Sequence, residues 1–237
     1  MQSRFLTNYT DTTFLATIQS NLRACKEFCF SVSFIKKAGL VLLANDIKSA
    51  LERGIKGKLI TSTYQNFTDV ESLNFFLKLA QSFENFECHL DDECFYDEKN
   101  YSTNGFHTKG YLFEFNDRCE LVVGSSNITR YALLKNIEWD LVVDCQKQDN
   151  AFQSALKEFA NLWDKTFELT QDLINLYAQK INFAAAACIC KAFLKRSDGE
   201  INPCRLIVRF LIPVRPDRSF QRNMKPQSAK TFFYRAA

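Results

Sequence analysis

At 237 residues, 46% hydrophobic and 14% aromatic, the chain is neither disordered nor fibrous, and it can fill one domain of about 150–180 residues with an appendage. Thirty Lys and Arg against 27 acids leave a formal charge of +3, too small to draw nucleic acid by global field, so a basic footprint must come from clustering. Met1 to Asn8 is polar where a secretory signal needs an apolar core, and no apolar run approaches the roughly 18 residues of a membrane span, so the chain is expected to be cytoplasmic and its nine cysteines reduced.

In chain order, a helix is expected from about Thr12 to Lys26, with Phe14, Ile18 and Leu22 at spacing four and Asp11 or Thr12 as cap. FCFSVSF at 28–34 reads as a buried strand, and Lys37 to Arg53 as a second helix closed by Gly54. Gly57 to Thr61 is a strand again. Thr68-Asp69-Val70-Glu71 has the form of a capping box opening a third helix to about Ser82, and Phe86 to Leu90 is a short strand. This alternation predicts an α/β fold, a mixed, largely parallel sheet flanked by helices on both faces. Cys88 and Cys94 flank His89, and Cys188-x-Cys190 is too tight for a usual zinc knuckle; ordinary burial is the expected role of most cysteines, with no metal and no cofactor. Before Phe106 runs the acidic, tyrosine-bearing stretch DDECFYDEKNYSTNG, either a solvated connection or the rim of a pocket.

Residues 106–143 carry the densest chemistry. If the segment is extended, His107 and Lys109 point the same way, which puts an imidazole beside an ammonium. Tyr111, Phe113 and Phe115 continue the alternation, Asn116-Asp117 supplies a turn, and Cys119 to Val123 returns as the second arm of a hairpin. At its end Gly124-Ser125-Ser126-Asn127 offers backbone N–H groups, two hydroxyls and an amide before a helical turn at Ile128 to Leu134, donors suited to phosphate oxygens. Asn136-x-Glu138 follows.

Beyond Asp149 two helical patterns appear: Ala151 to Phe167, with Phe152, Leu156, Phe159 and Leu162 on one stripe, and Thr170 to about Lys191. The last 47 residues hold 11 Lys or Arg against 3 acids, and all four prolines. That tail reads as a solvated, poorly ordered end, as a basic arm gripping phosphates, or as the product of a truncated or shifted reading frame. The expected division is 1–168 for the main domain, 169–190 for a C-terminal helix and 191–237 for the tail.

The segment from His107 to Glu138 resembles the phosphodiester-cleaving motif of the phospholipase D superfamily, H-x-K-x4-D, then G-S-x-N, then N-x-E. His107, Lys109, Ser125, Asn127, Asn136 and Glu138 match it; Glu114 stands where the motif has Asp, and the stretch from there to Gly124 is about three residues longer than usual. FCFSVSFIKKAGLVLL, ALERGIKGKLITSTYQNFTD, FHTKGYLF and GSSNITRYALLKNIEWDLVVD also resemble, in this order, the phospholipase D-like domain at the N-terminus of certain bacterial DEAD/DEAH-type helicases, relatives of which occur in metal-independent restriction endonucleases. The chain has no G-x-x-x-x-G-K-[ST], so no ATP-driven motor is expected in it.

The resemblance implies a phospholipase D-like α-β-α sandwich in which His107 attacks phosphorus to form a phosphohistidine that water then resolves. Lys109 and Asn127, helped by Ser125 and Ser126, would hold the non-bridging oxygens, and Glu138 would accept from the imidazole; Glu114, Gly124 and Asn136 support them. A second histidine is needed as general acid, and the family's remedy for one motif is a homodimer with both His107 side chains facing one phosphate. Three readings follow: a metal-independent DNA nuclease of restriction, defence or repair; a non-catalytic DNA-binding accessory domain; and a lipid-headgroup hydrolase, disfavoured because nothing membrane-directed appears.

Overall fold

A computed structural model of the chain describes residues 2–91 and 105–194, with side chains as far as residue 182. The stretch of 92–104, including Cys94, and the tail from 195 lie outside the described residues, as does any role expected of them.

Eight strands form one sheet: β1 Gln2–Leu6, β2 Glu27–Val32, β3 Lys56–Ser62, β4 Phe86–Asp91, β5 Lys109–Glu114, β6 Cys119–Gly124, β7 Asp140–Cys145 and β8 Phe167–Glu168, in the order β1-β7-β6-β5-β2-β3-β4-β8. The sheet is mixed, as expected, but parallel pairing is confined to β2-β3-β4, where crossover helices join the strands, and every other pair is antiparallel. One edge of the sheet therefore collects the ends of β2, β3, β4 and β6 and the starts of β5 and β7; Val32 lies opposite Lys109, and Gly124 opposite Asp140.

The helices among the described residues are α1 Phe14–Ala24, α2 Lys37–Leu40, α3 Ala44–Glu52, α4 Val70–Ser82, α5 Arg130–Leu134, α6 Asn150–Trp163 and α7 Gln171–Leu194, with a 3-10 turn at Tyr64–Asn66. Thr13, rather than Asp11 or Thr12, caps α1, accepting from the Ala16 N–H at 3.2 Å, and Phe14, Ile18 and Leu22 are buried in the expected stripe. The continuous helix expected over 37–53 is two helices. A Cβ on Gly39 would lie 2.5 Å from the Thr129 backbone, and Ile35 bridges to Ile128, so the chain packs against the start of α5 and turns before resuming at Ala44. Gly54 takes φ +81°, the left-handed residue that ends α3, and Ile55 N–H returns to the Ala50 carbonyl.

The capping box expected before α4 does not form. Asp69 instead accepts from Lys36 Nζ (2.9 Å) and the Lys37 N–H (2.8 Å), and Thr68 donates to the Ser33 carbonyl (3.3 Å). Both candidate caps fasten the loop leaving β2, beside the site edge. The helix expected over 151–167 stops at Trp163, because Phe167 and Glu168 add a strand to the edge of β4.

One face of the sheet carries the larger core, in which Phe14, Phe28, Phe30, Phe76, Tyr111 and Phe113 pack. Leu169, Leu173, Ile174 and Tyr177 join it, and the Tyr177 hydroxyl donates to the Thr68 carbonyl at 2.8 Å, so the packed unit runs past residue 168 into α7. On the other face α6 lays Phe152 and Phe159 over Cys29, Ile60, Leu112, Cys119, Leu121 and Cys145. Burial pushes these thiols up, Cys29 to about 12 and Cys119 to about 11, so they pack as protonated, unbridged side chains.

Candidate functional site

His107 sits just before β5, outside the strand itself, tied to the sheet through its neighbour: the Thr108 carbonyl accepts from the Ser33 N–H and hydroxyl, both at 2.9 Å, and its hydroxyl meets Ser31 at 2.6 Å. Lys109, the first residue of β5, projects to the same side as His107, as alternation requires. Its Nζ lies 2.9 Å from Nδ1 and 3.2 Å from Nε2 of the imidazole. Partial burial and then the Lys109 charge lower the His107 pKa, which favours the neutral ring, whose lone pair faces the Lys109 ammonium. Burial also lowers Lys109, while the Glu138 carboxylate pulls it back up.

The Gly124–Asn127 turn brings the remaining polar groups to the same edge, but not all of them to the same side. A Cβ on Gly124 would lie 2.2 Å from Asp140 Oδ1 and 2.3 Å from the Trp139 carbonyl, so only glycine lets β7 approach this closely. Ser126 is fully buried: its hydroxyl donates to Asp140 Oδ2 (2.6 Å), its N–H to Asp140 Oδ1 (3.2 Å), and its carbonyl accepts from the Tyr111 hydroxyl (2.7 Å). It is therefore an anchor and not the phosphate ligand expected of it. The Ser125 N–H is also taken, by the Trp139 carbonyl (3.0 Å).

What the turn presents outward is the exposed Ser125 hydroxyl and Asn127. Asn127 Oδ1 accepts from the Phe34 N–H (3.1 Å), and among the described residues nothing takes the amide nitrogen. Ser125 donates to Glu138 and accepts from the Trp139 N–H (3.1 Å); Asn136 donates to the other Glu138 oxygen (3.0 Å). Glu138 thus holds Ser125 and Asn136, and among the described residues no hydrogen bond joins it to His107, contrary to the tautomer-fixing contact expected. Glu114, at the far end of β5, accepts from Lys147 (2.8 and 2.7 Å); it supports the hairpin and lies about seven strand positions from the imidazole.

Sequence reasoning missed Asp140, the buried carboxylate whose pKa burial raises, and the rings around the imidazole. Phe34 meets His107 edge-on at 5.5 Å and Tyr64 meets it at 6.3 Å. The available signal was an aromatic at the end of a strand, FIKK, and another in the following loop, YQNF.

His89, the second histidine, is no partner for His107. It is 5% exposed on β4, stacked on Trp163 with centroids 3.6 Å apart, bonded to the Thr166 hydroxyl at 3.2 Å, and lowered by burial to about 4. Among the described residues no three His, Cys, Asp or Glu side chains converge as metal ligands, and no helix is long and apolar enough to cross a membrane.

The family model described as cardiolipin synthase, PLD-like domain, matches residues 21–163. The fold superposes on Nuc, a phospholipase D family member from Salmonella typhimurium, with TM-score 0.53 and 16% identity over 70% of this chain and 97% of that one. NucT from Helicobacter pylori gives the same values, and the phosphatidylserine synthase of Haemophilus influenzae Rd KW20 aligns with TM-score 0.51 and 14% identity over 79% of this chain and 46% of its own. At such identities the likeness is one of fold. No curated protein sequence matches the chain.

Proposed function

The chain belongs to the phospholipase D-like domain family, and from that premise we propose that it is a metal-independent phosphodiesterase acting on DNA through a phosphohistidine at His107. The observation that carries the reading is the imidazole–ammonium pair, His107 and Lys109 at 2.9 Å on an open sheet edge. The imidazole lone pair attacks phosphorus, forming a P–N bond as the P–O bond to the leaving alkoxide breaks. Lys109 and the Asn127 amide meet the charge on the non-bridging oxygens, the task a metal ion performs elsewhere, while the Ser125 hydroxyl, whose proton goes to Glu138, lines the turn beside them. Water then cleaves the P–N bond and restores the imidazole.

The leaving alkoxide needs a proton, and His89 is buried beneath Trp163. We therefore assign the acid to the His107 of a second copy, which takes a proton back from the attacking water in the second step. An uncovered apolar rim supports such a dimer. Phe5, Leu141 and Val123 are cross-strand neighbours on the face that α6 leaves bare near the site; they are 51, 40 and 40% exposed, and Ile137 and Trp139, in the segment leading into β7, are 80 and 65% exposed. The Trp139 ring packs edge-on against Phe5 at 5.5 Å, and its backbone touches Ser125.

Plasmid and single-stranded DNA incubated in EDTA test the reaction: cleavage that disappears in His107→Ala is expected. Ile137→Asp/Trp139→Asp should be monomeric by light scattering and inactive, and a monomeric wild type that cuts DNA would exclude the shared site. A second reading, a non-catalytic DNA-binding domain associated with a helicase, is favoured by one observation, the engagement of Glu138 with Ser125 and Asn136 instead of the imidazole. It predicts salt-sensitive binding by the wild type without products.

A further inference from the structure

Three aromatic rings outside both cores cluster beside the nucleophile, Phe34 and Tyr64 meeting His107 and Phe67 meeting Phe34. Phe34 follows the end of β2, while Tyr64 and Phe67 come from the loop after β3. Phe34 and Tyr64 lie parallel within 4° at 6.2 Å, and Phe67 tilts against Phe34 at 5.0 Å. Phe67 remains 47% exposed, and Phe34 and Tyr64 are half-buried. None of the three belongs to either hydrophobic cluster, so packing the domain does not account for them.

The loop that delivers two of the rings is strained. Gln65 and Asn66 take φ of 54° and 57°, two consecutive non-glycine residues in the left-handed region, where each costs on the order of a kcal/mol or more. Gly105 packs its backbone against the Tyr64 ring: a Cβ there would stand 2.4 Å from it. The loop conformation and this glycine together hold the rings beside the imidazole.

Their distance from the reacting groups matches a particular substrate. The Phe34 ring centre is 5.5 Å from both the His107 ring centre and Lys109 Nζ, and the Phe34 N–H fixes the Asn127 carboxamide. A phosphate held by Lys109 and Asn127 therefore carries its neighbouring sugar past these rings. A partly exposed aromatic cluster beside a phosphate site suits a planar substituent, with Phe67 its most open ring, and stacking does not discriminate among bases because every base has a π-face.

We propose that Phe34, Tyr64 and Phe67 form a stacking platform for the unpaired nucleobase adjoining the scissile phosphate, so that the site takes single-stranded nucleic acid in preference to duplex. In duplex DNA the bases are already stacked and paired, and unstacking one costs free energy before the platform can receive it. The inference rests on the phosphodiester reading above and adds the class of substrate to it.

The test compares a single-stranded oligodeoxynucleotide with one of the same length whose bases are replaced by abasic tetrahydrofuran residues. The wild type should cleave the base-bearing strand with a kcat/KM ~5- to 150-fold higher, the range that stacking of one base supplies. Phe67→Ala should collapse that ratio toward one, and Phe67→Trp should retain it; a fall in both rates at constant ratio would mark Phe67 as merely structural and overturn the platform. An independent arm uses Phe67→Trp/His107→Asn and reads tryptophan fluorescence. Quenching by oligo(dT), absent with the abasic strand, is expected, and equal response to both overturns the inference even if no substrate is cut. Cleavage indifferent to the bases sinks the platform alone, whereas base-dependent binding without cleavage sinks only the nuclease chemistry.

Discussion

Asp140→Ala should loosen the turn that carries Ser125 and Asn127 by removing the carboxylate beneath it. The Asp140 side chain is the sole described acceptor for both the Ser126 N–H and the Ser126 hydroxyl, at 3.2 and 2.6 Å, in a place where Asp140 and Ser126 are 1% and 0% exposed. Removing it leaves two buried donors without partners, each costing about 1–3 kcal/mol, offset in part by relief of the carboxylate's own desolvation. The net loss is about 2–4 kcal/mol, or roughly 5–15 °C in Tm for a domain of this size.

Asp140→Asn is the control, because Oδ1 still accepts from the Ser126 N–H and the new amide can donate to a rotated hydroxyl. It should stay within about 1 kcal/mol of wild type at neutral pH. The pH dependence adds a signature. Burial raises the Asp140 pKa above its ordinary 3.8, so between 3.8 and the raised value the folded state holds a proton the unfolded chain has lost. The contribution of Asp140 to wild-type stability therefore falls as pH rises through that window, and Asp140→Asn removes this slope. Urea unfolding across pH measures both effects; an Asp140→Asn variant as unstable as Asp140→Ala would refute the argument from paired acceptors.

His89 should govern acid stability and not catalysis. Its pKa falls to about 4 from an ordinary 6.5, so the unfolded chain binds a proton that the folded one refuses, and up to about 3 kcal/mol is lost as pH drops across that interval. In His89→Gln that part of the slope should vanish while cleavage per folded molecule persists; loss of cleavage in a fully folded variant would return His89 to the chemistry. For His107, the C2 proton in NMR should titrate below the ordinary 6.5 in the wild type, burial being the larger cause and the Lys109 charge the second. Lys109→Met should move that titration upward while abolishing turnover, and an unmoved titration would deny the close pair.

Several elements were readable in the chain because their signals are local. The stripe of Phe14, Ile18 and Leu22, the Gly54 terminator and the two-residue repeat from Lys109 to Phe115 each need only neighbouring residues to be understood, and each is found. Where long-range contacts compete, local reading failed. Thr68 and Asp69 have the composition of a capping box, yet Lys36, Lys37 and the Ser33 carbonyl are better served by them. The Lys37–Arg53 pattern is helical throughout and breaks because α5 arrives at Gly39. The strands β1 and β8 escaped notice because edge strands of five and two residues show little alternation.

Residue identities alone determined which chemistry the site could hold: the two-residue spacing of His107 and Lys109 forces them to one side of an extended chain whatever the rest of the fold does. The assignment of the four turn residues was settled only in three dimensions. Ser125 and Ser126 are indistinguishable by type, but the approach of β7 places Asp140 under one of them, and a buried carboxylate claims the nearest hydroxyl and N–H. The same applies to the rings. No periodicity announces Phe34, Tyr64 and Phe67 as a group, because they come from two strand ends that only the parallel pairing of β2 with β3 brings side by side.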